Sequence, residues 1–320
     1  MQTDKLKKSI LLVTIAMSIV AALGTMEPAH AIRASYLYDL STFTGPLSYD
    51  GASIYTDKDH NEAYVVSRGE VQVFNENGME VYQFTEGDIA GAISALAFDK
   101  DGFIYALTYK YGYIQNVYEI QKCNYRGEPI SSISVQGIPA GFKDFMPRYM
   151  ALREGQFYLA DPTNLYVVVT DMNGSVQKSY DLISLLELKE SERGETELGG
   201  FSVDNSGNML FTVTVLFSAS IVSPSGKIET FGQPGSIPGK FANVAGIVRD
   251  SRGNILVADR LKSVVNIFDK NLNFLAEFGG RGNAPGNLVV PSNLAVDGND
   301  RLYVTQASNR GVSVFRLEYN

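Results

Sequence analysis

The chain is predicted to be all-β: a six-bladed propeller of four-stranded antiparallel blades, with the N-terminal strand completing the last blade. Three observations predict this. A 47-residue repeat occupies the end of the chain. Its apolar residues alternate, or run in short β-branched and aromatic groups between turn residues. And a count of the repeats leaves one strand over at the start and one missing at the end.

The repeat is clearest between Phe231-Gly-Gln-Pro-Gly235-Ser-Ile-Pro-Gly239-Lys-Phe241 and Phe278-Gly-Gly-Arg-Gly282-Asn-Ala-Pro-Gly286-Asn-Leu288. The same offset relates Gly246-Ile-Val-Arg-Asp250 to Asn293-Leu-Ala-Val-Asp297, Ile255-Leu-Val-Ala to Leu302-Tyr-Val-Thr, and Phe268 to Phe315. Several kinds of feature thus keep one register over a whole period. A period of this size holding four short strands separated by Gly, Asn, Asp and Ser is the size of a propeller blade.

Earlier copies are recognised as a strand ending in a turn acid followed by a second apolar strand. They are Ser53–Asp57 with Ala63–Val66, Ala95–Asp99 with Phe103–Leu107, Tyr149–Arg153 with Phe157–Ala160, and Phe201–Asp204 with Met209–Val213. With the two clear copies they make six. The last copy runs out at Val312–Leu317 after three strands, and the unassigned strand Ser35–Leu40 precedes the first. Pairing the two removes a free sheet edge and ties down both ends.

The turn acids Asp57, Asp99, Asp204, Asp250 and Asp297 are expected to be structural. Each opens a tight turn, where a short carboxylate bonds N–H groups two residues on and Gly takes positive φ. His60 stands where other copies have Gly, a position that His tolerates.

The start of the chain has the pattern of a secretory leader. Lys5, Lys7 and Lys8 precede the fourteen apolar-rich residues Ile10–Leu23, and Ala29-His-Ala31 supplies a small-residue cleavage site. This apolar run is shorter than the roughly twenty residues a membrane-spanning helix needs. Residues 1–31 are therefore expected to be removed and 32–320 to form a single domain, periplasmic or secreted and not inserted in a membrane. Removal takes the formal charge from −8 to −9, which argues against nucleic acid as a general partner. The one cysteine outside any pair, Cys123, is expected in a turn, with an intermolecular bridge as the lesser reading.

The motif Phe-Gly-x-x-Gly-x-x-Pro-Gly-x-[Phe/Leu], followed by a strand ending in Asp and then by a second apolar strand, resembles an NHL repeat. The resemblance is strong in the last two blades and diluted before them. It implies a loop face that binds partners, made by the second-to-third-strand loops and the blade connections. Two enzyme types have similar propellers. Peptidylglycine lyase propellers hold zinc through several histidines, but here only His60 lies beyond the leader, too few for such a site. Gluconolactonase-like propellers hold a divalent ion through Glu, Asn and Asp in the central channel, and this metal-dependent hydrolase or lyase remains the alternative reading. No calcium-loop spacing, Gly-x-Ser-x-Gly or dinucleotide fingerprint occurs. The Gly-rich segments 232–239 and 279–286 recur with the blade period and carry Pro, which makes them connections. No cofactor and no metal ligand set is expected.

The leading expectation is a non-enzymatic, monomeric interaction or scaffold module of the cell envelope. Its partner would be a protein or peptide, and NHL-type propellers of this look found beside multihaem cytochrome systems suggest one partner class. The candidate partner-binding residues are Arg68, Tyr109, Tyr111, Tyr113, Phe145, Arg148, Asp161, Asp259, Arg260 and Arg310, with Lys110 and Lys262 beside them. Arg and Tyr supply much of the energy of protein interfaces, and a basic, aromatic face on an acidic chain suits an acidic or peptide-like partner. The competing expectation is that these are solvated rim residues, with the basic side chains pairing Asp161 and Asp259 inside the ring. The NHL pattern places Asp at the end of the second strand, matched by Asp161 and Asp259, and Asn-x-Arg after it, approximated by Asn309 with Arg310. The segment 137–147 is expected to bring Phe142 and Phe145 near this face. The charged insertion Leu188–Glu197 is expected to be a mobile loop, and Asn173-Gly-Ser175 to be a hairpin turn rather than a glycosylation site.

Overall fold

A computed structural model describes residues 32–47, 51–89, 91–110 and 117–319. The predicted leader, Tyr111 and Tyr113 lie outside them. Strand β1 (Ile32–Asp39) is followed by a small hairpin, β2 (Ser41–Thr42) and β3 (Gly45–Pro46). Blade 1 is β4 (Ser53–Asp57), β5 (Glu62–Ser67), β6 (Glu70–Phe74) and β7 (Glu80–Thr85). Blade 2 is β8 (Ala92–Phe98), β9 (Ile104–Lys110), β10 (Val117–Cys123) and β11 (Pro129–Ile133). Blade 3 is β12 (Tyr149–Arg153), β13 (Gln156–Asp161), β14 (Tyr166–Asp171) and β15 (Val176–Asp181). Blade 4 is β16 (Leu198–Val203), β17 (Met209–Val213), β18 (Ser218–Val222) and β19 (Ile228–Phe231). Blade 5 is β20 (Val244–Arg249), β21 (Ile255–Asp259), β22 (Val264–Phe268) and β23 (Phe274–Gly279). Blade 6 takes β24 (Leu294–Val296), β25 (Arg301–Thr305) and β26 (Val312–Tyr319) from the end of the chain and β1 from its start.

The alternation of a strand explains why the central strands are apolar on consecutive residues. In β21, Leu256 and Ala258 enter the core shared with blade 6, while Ile255 and Val257 enter the core shared with blade 4. Strands buried on both faces carry continuous apolar runs. The innermost strands of successive blades touch around the ring, β24 meeting β4 to close it. Blades 5 and 6 meet closely at one point of their innermost strands. The Gly246 N–H donates to Ser292 O at 2.7 Å, and a Cβ on Gly246 would lie 2.4 Å from that same oxygen, so only glycine allows this contact.

Closure occurs as the strand count predicts. Strand β1 pairs antiparallel with β26, from Ile32 opposite Tyr319 to Asp39 opposite Ser313. Tyr36 packs edge-on against Phe315, centroids 5.9 Å apart, and Phe278 packs against the same ring at 4.9 Å. The Gly-rich segments are indeed blade connections. Each forms a small loop with a parallel bridge, Pro234 to Phe241 in one and Arg281 to Leu288 in the next, again 47 residues apart.

The turn acids anchor the first-to-second-strand turns. Asp204 Oδ1 accepts from Ser206 N and Asn208 N at 2.8 and 2.9 Å, Asp250 Oδ1 from Arg252 N and Asn254 N at 2.9 and 2.8 Å, and Asp57, Asp99 and Asp297 do the same in their turns. His60 departs from expectation. The left-handed residue of its turn is Asn61, at φ 54°, because Asp57 pairs with Glu62 and the turn is lengthened. His60 instead turns its ring onto Asp57, with Nδ1 2.8 Å from Oδ2.

Two further expectations are corrected. Cys123 is the last residue of β10, not a turn residue, and is fully buried. The insertion is pinned rather than loose. Arg193, 9% exposed, donates to Asp181 Oδ2 at 2.8 Å and to Glu190 Oε1 at 2.7 Å, reaches the carbonyl of Asn164, and stacks over Tyr166 at 4.4 Å. Asn173-Gly-Ser175 is the third-to-fourth-strand turn of blade 3, with Gly174 at φ 84° and Asp171 Oδ1 accepting from Asn173 N at 2.9 Å.

Candidate binding face

Antiparallel blades put the second-to-third-strand loops and the blade connections on one face of the ring. Asp161 and Asp259 lie at this face but beneath it, 1% and 0% exposed. Asp259 Oδ2 accepts from Ala242 N at 2.7 Å, and Oδ1 accepts from Asn243 N and Lys262 N at 3.2 and 3.0 Å. Asp161 accepts from Met146 N at 2.8 Å, Thr163 N at 2.9 Å and Asn164 N at 3.0 Å. Each carboxylate ties its own loop to the connection arriving from the preceding blade. Neither forms an ion pair with the basic residues, contrary to the competing expectation, and neither is exposed to meet a partner.

The basic residues divide into two groups. Arg68, Lys110 and Arg148, on blades 1 to 3, are exposed. Arg148 lays its guanidinium over the Tyr109 ring at 4.4 Å and donates to Ser94 Oγ at 3.3 Å. Tyr109 is itself buried, so it supports Arg148 from below. Lys110 lies 3.7 Å from Glu119. On blades 5 and 6 the cations staple connections. Arg260 Nη2 donates to Ser292 Oγ at 3.0 Å, and Arg310 Nη1 donates to Asn283 O at 3.0 Å. Lys262 Nζ donates to Ile237 O at 3.1 Å and to Glu277 Oε2 at 2.8 Å.

The 137–147 segment turns its aromatics inward. Phe145 is 6% exposed and packs edge-on against Tyr118 at 5.9 Å, and Phe142 stacks flat on Tyr166 at 4.0 Å. Both belong to the core between blades 2 and 3.

The sequence reading missed an apolar set on the same face. Val215, Phe217, Ile237, Leu261 and Val290 are 37% to 73% exposed. They sit in the second-to-third-strand loops of blades 4 and 5 and in the connections entering blades 5 and 6. Phe217 and Val290 hold left-handed φ of 50° and 48°, costly for bulky or β-branched residues and a feature of functional loops. A signal was present in Leu216-Phe217 and Leu261, apolar residues in turns where polar ones are usual. Also missed was Tyr149, at the head of innermost strand β12. Burial pushes its hydroxyl up to about 12, eased by the positive charge of Arg260 and reinforced by Glu197.

Among the described residues, no three His, Cys, Asp or Glu side chains gather as metal ligands, and no helix is long and apolar enough to cross a membrane.

No family model matches the chain. It is 30% identical over 113 residues to Protein brain tumor of Drosophila melanogaster, covering 32% of this chain and 11% of that protein. It is 43% identical over 56 residues to Protein lin-41 of Caenorhabditis elegans, covering 18% of this chain and 5% of that protein. The chain thus spans a small fraction of the length of either relative. Among solved structures, a protein of unknown function from Bacteroides thetaiotaomicron superposes with a TM-score of 0.65 at 14% identity, covering 90% of this chain and 76% of the other. An auxiliary nutrient binding protein from Bacteroides ovatus gives 0.60 at 13% identity, with 90% and 77% covered. Virginiamycin B lyase from Staphylococcus aureus gives 0.54 at 13% identity, with 91% and 90% covered. At such identities these structures share the fold alone. The chain is a six-bladed β-propeller, and its sequence similarity to two NHL-repeat proteins covers a minor part of its length.

Proposed function

We propose that this propeller is an exported, non-enzymatic, monomeric binding module of the cell envelope that takes a protein or peptide partner on its loop face. The observation that carries the reading is the exposed apolar set on blades 4 to 6, Val215, Phe217, Ile237, Leu261 and Val290, on the same face as the exposed cations Arg68, Lys110 and Arg148 of blades 1 to 3. Exposed apolar side chains on a face that also carries exposed charge are a feature of interaction surfaces. A partner with an apolar segment and acidic flanks would satisfy both halves. Asp161, Asp259, Arg260 and Arg310 hold the face in shape, and Tyr109 props Arg148. Export rests on the leader-like residues 1–31, and a role beside multihaem cytochromes rests on the resemblance of the repeats.

Photo-crosslinkers at positions 148 and 261, with one at position 252 on the opposite face as a control, would be tested in cell envelopes. One partner captured from the first two positions and not the third is expected. Its loss in Arg148→Glu and Leu261→Glu variants of unchanged melting temperature completes the test. Capture from position 252 alone overturns the reading. A stoichiometric divalent ion in the purified protein would favour the metal-dependent hydrolase or lyase instead.

A further inference from the structure

The first-to-second-strand turns surround the central channel on the face opposite the loops. Lys58, in the turn after β4, belongs to blade 1, and Arg153, the last residue of β12, belongs to blade 3. Burial pushes the Lys58 ammonium below the ordinary lysine value; the Arg153 charge adds to this, and Asp300, Asp297 and Asp204 oppose it. A side chain from blade 1 that feels charges on blades 3, 4 and 6 extends over the axis, the one place those blades share. Burial lowers the Arg153 guanidinium in the same way, against the charge of Asp204. Both residues nevertheless keep accessible surface, as side chains do that line a well open to solvent.

The carboxylates around this well are engaged elsewhere. Asp204 Oδ2 accepts from Asn208 Nδ2 at 2.8 Å and pairs with Arg249. Asp297 Oδ2 accepts from Arg301 Nε at 2.6 Å and from the Tyr303 hydroxyl at 3.1 Å, and Asp300 accepts from the N–H and hydroxyl of Ser251. The two cations lack such partners. Arg153 donates from Nε to Val203 O at 3.1 Å and from Nη1 to Leu152 O at 2.6 Å, both neutral carbonyls, and its Nη2 has no acceptor among the described residues. Lys58 Nζ has neither an acceptor nor an ion pair among them. Neither nitrogen is sealed in, since the fully buried polar atoms without partners belong to other side chains. Partly desolvated cations without a counter-charge are costly, and an anion that reaches them relieves the cost.

We propose that this axial well binds one oxyanion group, a carboxylate or a phosphate, between Lys58 Nζ and Arg153 Nη2. The same two charges repel a metal cation. With Nε and Nη1 occupied, Arg153 cannot offer the two-point fork of a free guanidinium. The anion is therefore met by one guanidinium nitrogen on one side and by an ammonium with all its protons free on the other. A single well on an acidic chain admits one such group and not a polyanion, whose binding needs an extended basic surface.

The test is an NMR titration of the purified protein with sodium acetate and with sodium phosphate, each exchanged for sodium chloride at constant ionic strength, followed at the Lys58 Cε–Hε signal and the Arg153 amide. Saturable shifts with at least one oxyanion are expected, together with a rise of the Lys58 titration midpoint toward the ordinary lysine value. Saturation by acetate alone marks a carboxylate as the group recognised, and saturation by phosphate alone marks a phosphate; either supports the proposal. Lys58→Met removes the charge from a side chain that makes no hydrogen bond, and should weaken binding about tenfold or more. Lys100→Met, at the equivalent and exposed turn position of blade 2, should leave it unchanged. The proposal is overturned by the absence of saturable shifts, by a Lys58 midpoint that stays fixed at saturation, by unchanged binding in Lys58→Met, or by equal weakening in Lys100→Met.

Discussion

Gln306 stands 47 residues after Asp259 and holds the same joint in the next blade. Asp259 Oδ2 accepts from Ala242 N at 2.7 Å, and Gln306 Oε1 accepts from Val289 N at 2.8 Å. The carboxylate accepts two further backbone N–H groups. The amide uses its other end as a donor, to Ser313 Oγ at 2.7 Å. Asp259→Ala would strand three part-buried donors and is expected to cost about 3 kcal/mol or more, against about 1 to 2 kcal/mol for Gln306→Ala. Urea unfolding of the two variants measures this, and equal losses would refute the ranking.

Arg193 controls the order of the charged insertion. Its removal breaks bonds to Asp181, Glu190 and Asn164 together. Arg193→Ala is expected to open residues 188–197 to a glutamate-specific protease while the rest of the ring resists. Limited digestion followed by mass measurement checks this; a first cut elsewhere would count against it.

His60 gives a small pH dependence of known sign. The hydrogen bond to Asp57 and that residue's charge raise its imidazole above the ordinary histidine value. A raised folded value contributes stability that is complete below the unfolded value and lost as pH rises through the folded one. The side chain is 47% exposed, so the effect is expected to stay below about 1 kcal/mol. The difference in unfolding free energy between the protein and its His60→Gln variant, measured from about pH 5 to about pH 8, should shrink with rising pH.

Cys123 should be inert in the native ring. It is fully buried, and burial alone pushes its thiol up to about 11, so little of the reactive thiolate forms near neutrality. Alkylation by iodoacetamide is expected to follow the global unfolding rate as urea is raised. Fast labelling in buffer would show that blade 2 opens locally.

The fold was legible because a blade is a local object. Its strand pattern, its turn carboxylates such as Asp204 and Asp250, and its 47-residue period are all written within one repeat. The candidate face was less legible because its contacts join distant repeats. Arg260 finds Ser292 and Lys262 finds Glu277, and no local pattern distinguishes a cation holding a connection from one held out to solvent. Phe145 shows the same limit: its position in a long connection implied exposure, and only the proximity of Tyr118 shows where it packs. The His60 turn was misread by one residue, because loop length and not residue type decides which position takes the left-handed conformation.

The clasp between β1 and β26 sets the timetable of folding. Ile32 has no partner until Tyr319 has been made, so five blades can assemble before β26 emerges and the sixth cannot. A chain stalled before residue 312 would keep an unpaired β1 and a gap in the ring. Such a product would present two raw sheet edges to other chains, and would be the aggregating species in a cell that failed to finish it.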